Sequence, residues 1–193
     1  LLKLGINGDN IYVTGDPAFG MKVTENKNTV MNILNNNKIN LMDKITIGVC
    51  FRHEYWGGNN EDEYTNLNTI LAKSLDEIYE ELHCQFLFIP NCTYTKGHKL
   101  QDDRLTHQDV VSGMKNKHAA FEIKDQLSVH DTYRLFSLLD MHISNRRHSC
   151  IFASMNSIPF VTINGSFEGH LSPLLNELNI PEQLVHLDHK NNL

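Results

Sequence analysis

The sequence predicts an α/β, Rossmann-like domain with a parallel sheet, and three observations carry that prediction. From Ile45 onward, short apolar runs alternate regularly with amphipathic stretches. The first run, Ile45 to Phe51, is almost continuously apolar, which suits a strand covered on both faces. The connections are short, and repeated strand–helix units of this kind give parallel strands joined by right-handed crossovers.

Taken in order, residues 1–10 read as the end of a preceding element, with Gly5, Gly8 and Asp9 as turn formers. Ile11-Tyr12-Val13-Thr14 reads as a short strand stopped by Gly15-Asp16-Pro17. The asparagine-rich stretch Asn26 to Asn40 carries Val30, Ile33 and Leu34, the spacing of one short helix. Ile45 to Phe51 is the first strand of the main sheet. A helix over 64–83 follows, with Leu67, Ile70, Leu71, Leu75, Ile78, Tyr79 and Leu82 on one face. Strands are expected at Gln85–Ile89, Ala119–Ile123, Met141–Ser144, Pro159–Ile163 and Leu184–Leu187. Between them fall a helix opening near Asp102 and Asp103, whose charge suits an N-terminal dipole, one across Asp131–Leu139, a short one at Ser149–Met155 and one across 169–178. Residues 1–40 are too poor in apolar residues to close a core, so they are expected to pack on the main sheet or to cross from another domain. Because the sequence opens Leu1-Leu2, the chain is expected to be a piece of a longer protein.

Composition narrows the function. The 193 residues carry a formal net charge of -6, which gives no electrostatic case for nucleic acid or an anionic membrane. A local basic site on an acidic protein fits a small anion better. The eleven histidines are scattered without metal-ligand spacing. Cys50, Cys84, Cys92 and Cys150 fall on or beside predicted strands and read as reduced thiols of an intracellular protein. No secretory leader or membrane-length apolar run is present, so a cytoplasmic location is expected. A glycine-rich dinucleotide fingerprint is absent after the first strand, which argues against a nicotinamide or flavin cofactor, and no other cofactor is expected.

Three predicted strand ends carry polar groups: Arg52-His53-Glu54, Asn145-Arg146-Arg147-His148 (with Ser149 next in the chain) and Asn164-Gly165-Ser166. In an open parallel sheet these ends share the edge where ligands bind. Two arginines, a histidine and a serine hydroxyl suit a phosphate, a carboxylate or both, with Arg52 and Arg146 as bidentate partners and His148 free to carry a proton. Plainer readings stand beside this one. Arg52 would pair only with Glu54 or Asp103, His148 would bond backbone at a helix start, and Arg147, alternating away from its neighbours, would be solvated.

Asp140, Ile143-Ser144, Arg146, His148-Ser149, Ile151-Phe152-Ala153 and Ile158-Pro159 together resemble the signature of the polysaccharide pyruvyl transferase family. Val13-Thr14-Gly15-Asp16-Pro17-Ala18, Gly48-Val49-Cys50-Phe51-Arg52 and Asp102-Asp103 are similar to further family segments in the right order, so the resemblance spans roughly residues 11–187. It implies one half of a GT-B-like architecture, with 1–40 connecting from an N-terminal domain and 41–193 forming the C-terminal, donor-binding domain. It also implies transfer of pyruvyl from phosphoenolpyruvate to a glycan or lipid-linked saccharide of a cell-surface polysaccharide, forming a ketal. By position, His148 would be catalytic or donor-binding. Arg52, Arg146, Ser149 and Asn164 would bind the donor, with His53, Asp103 and His170 as further candidates. One departure is Phe167-Glu168-Gly169-His170, where the family commonly has an aromatic residue followed three positions later by lysine. Two alternatives remain: a glycosyltransferase of the same architecture using a nucleotide-sugar, and a non-catalytic domain of that fold. Phosphate release from phosphoenolpyruvate separates the first from the second, and loss of all ligand binding marks the third.

Overall fold

The computed structural model describes residues 2–5, 8–12, 14–24, 26–53, 61–93, 102–164 and 171–186. Six strands form one sheet: β1 (Thr46–Cys50), β2 (Gln85–Phe88), β3 (Ala120–Glu122), β4 (Met141–Ser144), β5 (Phe160–Asn164) and β6 (Leu184–His186). All their pairings are parallel and the order is β3-β2-β1-β4-β5-β6. The α/β, Rossmann-like reading is therefore correct. The strand order reverses between β1 and β4, where Cys50 pairs with Ser144, and that reversal opens a crevice beyond the carboxyl ends.

Among the described residues, six α-helices cover the two faces: α1 (Lys27–Asn36), α2 (Glu61–Leu82), α3 (Asp103–Gly113), α4 (Val129–Leu135), α5 (Arg147–Met155) and α6 (Leu171–Glu177). Successive strand side chains point to opposite faces. Ile47, Val49, Phe86 and Phe88 accordingly meet Leu67, Leu71 and Leu75 of α2 and Val110 of α3. Leu87 and Ile89 join the other core, with α1, α5 and α6 supplying Val30, Ile33, Ile151, Phe152, Leu174 and Leu175. Val30, Ile33 and Leu34 of α1, with Ile39 just beyond it, thus pack into this core.

Gly48 faces this second core where space is shortest. A Cβ there would lie 2.4 Å from Leu139 Cδ1 and 2.7 Å from His142 Nδ1. His142 is itself wholly buried against Phe136, with ring centroids 4.8 Å apart, and desolvation holds its pKa down to about 3. Asp140, the first residue of the cationic motif, has a structural task. Its Oδ2 accepts the Thr46 N–H at 2.8 Å and ties the start of β4 to the start of β1.

Two boundaries differ from expectation. No strand forms at Ile11, Tyr12 or Thr14, and Val13 lies outside the described residues. None of the pairings of the sheet includes these residues. The helix expected across Asp131–Leu139 begins two residues earlier, because Ser128 caps it: Ser128 Oγ accepts the Asp131 N–H at 3.1 Å and donates to Asp131 Oδ2 at 2.7 Å. Its last part tightens into a 3₁₀ turn at Phe136–Leu138. Cys50, Cys84 and Cys150 are buried free thiols, and Cys92 is half-buried and free.

Candidate functional site: an anion-binding cleft at the strand reversal

A cleft of about 600 Å³ lies at this crossover point. That volume falls in the range of small-molecule and cofactor sites. Arg52 enters it from the end of β1, Asn91 from beyond β2, and Asn145, Arg146, Arg147 and His148 from the turn between β4 and α5. The opposite wall is apolar, with Leu127, Val129, Phe152 and Leu171, and the segment after Asp16 closes one side through Pro17, Ala18 and Met21.

The turn after β4 is built by its own polar groups. Ser144 Oγ donates to the Cys50 carbonyl at 2.8 Å and accepts the Arg146 N–H at 2.8 Å, so one buried hydroxyl fixes the turn to β1. Asn145 Oδ1 accepts the Arg52 N–H at 2.9 Å, and its Nδ2 donates to the Arg52 carbonyl at 3.3 Å. This amide therefore sets the backbone of one arginine from beside the other. Phe51 N–H donates to His107 Nε2 at 3.1 Å. His107 must be neutral to accept that bond, and burial keeps it so by lowering its pKa to about 3, with Arg146 adding to the push.

Arg146 is held from below. Its Nε donates to Asp103 Oδ1 at 3.1 Å, and Nη2 also contacts Oδ1. Asp103 is fully buried, and its Oδ2 accepts the N–H groups of Asn91 at 3.0 Å and Cys92 at 2.9 Å. Burial pushes the Asp103 carboxyl up, against the pull of Arg146 and of these N–H groups. Nitrogen donors surround both oxygens, and only a carboxylate accepts from all of them. Desolvation opposes the charge on Arg146, but Asp103 outweighs it and holds the guanidinium cationic. Arg146 lines the cleft from above this contact. The Cys50 thiol beneath is pushed up to about 12 by burial and by Asp103, so it is no nucleophile.

Arg52, Arg146 and His148 thus converge on one cleft, as the strand-end argument requires. Other candidates sit elsewhere. Ser149 is wholly buried beside the Cys50 sulfur and does not line the cleft. Asp103 is equally buried and acts through Arg146. It pairs with Arg146, not with Arg52. His53 stacks on Tyr64, with ring centroids 3.7 Å apart, and does not line the cleft. Asn164 ends β5, two strands from β1 on the same sheet edge, and only its backbone is described. His170 lies outside the described residues. Arg147 is not a solvated side chain. It lines the cleft, and its Nε lies 3.5 Å from Asp16 Oδ2.

Sequence reasoning passed over Asn145 and Asn91. Asn145 stands inside the cationic motif, but an amide that clamps backbone has no signature of its own. Asn91 Oδ1 is buried at the cleft wall without a hydrogen bond among the described residues, an acceptor placed where a ligand hydroxyl would satisfy it.

Known proteins match this arrangement at two levels. No curated protein sequence matches the chain. Among solved structures, the chain is similar to the ADP-heptose lipopolysaccharide heptosyltransferase II of E. coli, at 12% identity and a TM-score of 0.53 over 89% of this chain. It is also similar to the UDP-GlcNAc 2-epimerase of Methanocaldococcus jannaschii, at 14% identity and a TM-score of 0.55 over 96%. These likenesses show a GT-B-like fold, and the chain spans 46% of each of those proteins. The family model of polysaccharide pyruvyl transferase matches residues 1–166, a stretch that contains the arginine–histidine turn, the strand ending in Arg52 and the acidic pair at Asp102 and Asp103. The chain belongs to the polysaccharide pyruvyl transferase family.

Proposed function

We propose that residues 41–193 form the donor-binding half of a GT-B-like pyruvyl transferase that moves pyruvyl from phosphoenolpyruvate to a pair of hydroxyls on a glycan or lipid-linked saccharide. The observation that carries this reading is the convergence of Arg52 and Arg146, from the ends of the two strands that flank the reversal, on one cleft with His148. Phosphoenolpyruvate presents a carboxylate and a phosphate on adjacent atoms, and two guanidiniums from different strand ends match two anionic groups. In this reading Asn164, at the end of β5, adds a donor contact.

The chemistry follows from charge. His148 gives a proton to the methylene carbon, and the electron pair of the C=C bond forms the new C–H bond. The carbon bearing the phosphate becomes an oxocarbenium-like centre, and one sugar hydroxyl adds to it. The C–O bond to phosphate then breaks, phosphate leaves with the electron pair, and the second hydroxyl closes the ketal. Of the two hydroxyl protons, one restores His148 and the other leaves with phosphate. Arg146, fixed by Asp103 before the donor arrives, stabilises the departing phosphate without reorganising, which is how preorganised charge lowers a barrier.

The test is phosphate release by the full-length protein with phosphoenolpyruvate and a saccharide acceptor. Release that requires both substrates, and that nucleotide-sugars do not replace, supports the reading. Turnover of a nucleotide-sugar instead would identify a glycosyltransferase.

A further inference from the structure

Asp16 has no place in the chemistry above, yet its carboxylate faces both Arg147 and His148 in the first turn of α5. Its Oδ2 lies 3.5 Å from Arg147 Nε and 3.9 Å from His148 Nε2. Its Oδ1 accepts the Ala18 N–H at 3.0 Å and caps the 3₁₀ turn Pro17–Gly20. The Asp16 side chain is only 15% exposed, whereas that of His148 is 61% exposed. Pro17, Ala18 and Met21, just beyond it, wall the same cleft that Arg147 and His148 line.

The first turn of a helix is the positive end of its dipole, so the Arg147 guanidinium there is repelled by the free N–H groups. A carboxylate against that turn offsets the repulsion and fixes where the two side chains stand. Asp16 also joins two walls of the cleft, because one oxygen holds the segment at 17–20 and the other holds α5. An exposed imidazole without such a partner would sample several rotamers, and loss of orientation is costly for proton transfer.

We propose that Asp16 is a positioning residue: it holds His148 and Arg147 in the orientation that donor protonation requires, at some expense to donor affinity. The expense arises because a fixed negative charge beside an anion site repels the anion. This inference rests on the donor site proposed above.

The opposing signs give the test. Asp16→Asn keeps an oxygen that can accept the Ala18 N–H but removes the charge. In the full-length protein it is expected to tighten binding of inorganic phosphate and of phosphoenolpyruvate by about two- to fivefold, the scale of one exposed ion pair. The same variant is expected to lower kcat by roughly ten- to a hundredfold, so KM and kcat fall together. Asp16→Ala loses the cap as well and serves as the structural control, expected to lower the melting temperature where Asp16→Asn does not. Unchanged kcat with unchanged phosphate affinity in Asp16→Asn would overturn the proposal, as would weaker phosphate binding accompanied by a lowered melting temperature. The phosphate titration needs no turnover. If the parent protein releases no phosphate from phosphoenolpyruvate, the transfer reading fails, while tighter phosphate binding by Asp16→Asn still upholds the contact and its absence still rejects it.

Discussion

Asp103 and Arg146, 43 positions apart, form a buried ion pair beneath the cleft, and the carboxylate has no exposure of its own. The pair is a foundation for the site as much as a stabilising contact. Asp103 also accepts two backbone N–H groups from the end of β2, so it locks the ends of β2 and β4 in relation to each other.

Removing one member of such a pair leaves the other charged in a low-dielectric site, at about 3–5 kcal/mol. Asp103→Ala is therefore expected to destabilise the protein by that amount in urea unfolding, and to weaken phosphate binding because Arg146 loses its fixed orientation. Arg146→Met removes the charge from the other side and orphans Asp103, so comparable destabilisation is expected. A loss below about 1 kcal/mol for both would mean that water already solvates the pair.

Acid sensitivity follows from His107 and His142. Burial holds both at about 3 in the folded chain, while an unfolded imidazole titrates near 6.5. Below about 6.5 the unfolded chain takes up protons that the folded chain refuses. The stability is therefore complete above that pH and is lost as pH falls toward 3, by up to about 1.4 kcal/mol per unit per histidine. Urea midpoints between pH 7 and pH 5 should fall steeply, and His142→Leu, which packs against Phe136 without titrating, should flatten the slope by roughly half. An unaltered slope in that variant would show that His142 is not one of the groups responsible.

Gly48→Ala tests the close approach of β1 to β4. The added methyl would meet Leu139 and His142 in a packed core, and overpacking of this kind costs about 1–3 kcal/mol. Coupling the change with Leu139→Ala, which opens the space, should recover part of the loss. Additive losses would place the strain elsewhere.

Much of this fold is legible in the sequence because the strands of the main sheet are short, mostly apolar runs between turn formers, and the central strands β1 and β2 are buried throughout. The reversal at β1 and β4 was not legible, since strand order depends on which helices cross which face. Two residues sit otherwise than their local pattern suggests. Strand-like alternation turns Arg147 away from its neighbours, but it is already helical, where neighbours are about 100° apart and both 147 and 148 can face one cleft. Ser149 opens a run buried continuously to Ala153, so α5 carries no polar face from which to read an inward hydroxyl. Ile11 to Thr14 reads as a strand by composition, but Ile11, Tyr12 and Thr14 take no part in the sheet.

Arg146 and His148 should fail in different ways. His148→Ala removes the proton donor and leaves the donor's anionic contacts, so turnover should drop by roughly a hundredfold or more with little change in phosphoenolpyruvate affinity. Equal losses in binding and turnover would instead assign His148 to donor recognition.

Calorimetric titration of phosphoenolpyruvate into the full-length protein and its Arg146→Ala and Arg146→Lys variants probes the cleft most directly. A bidentate, charge-assisted contact is worth about 1.5–3 kcal/mol, so Arg146→Ala should bind the donor at least about tenfold more weakly. Arg146→Lys should not restore the affinity, because an ammonium lacks the planar fork. Binding by Arg146→Ala as tight as the parent's would contradict an anionic donor site at the junction of β1 and β4.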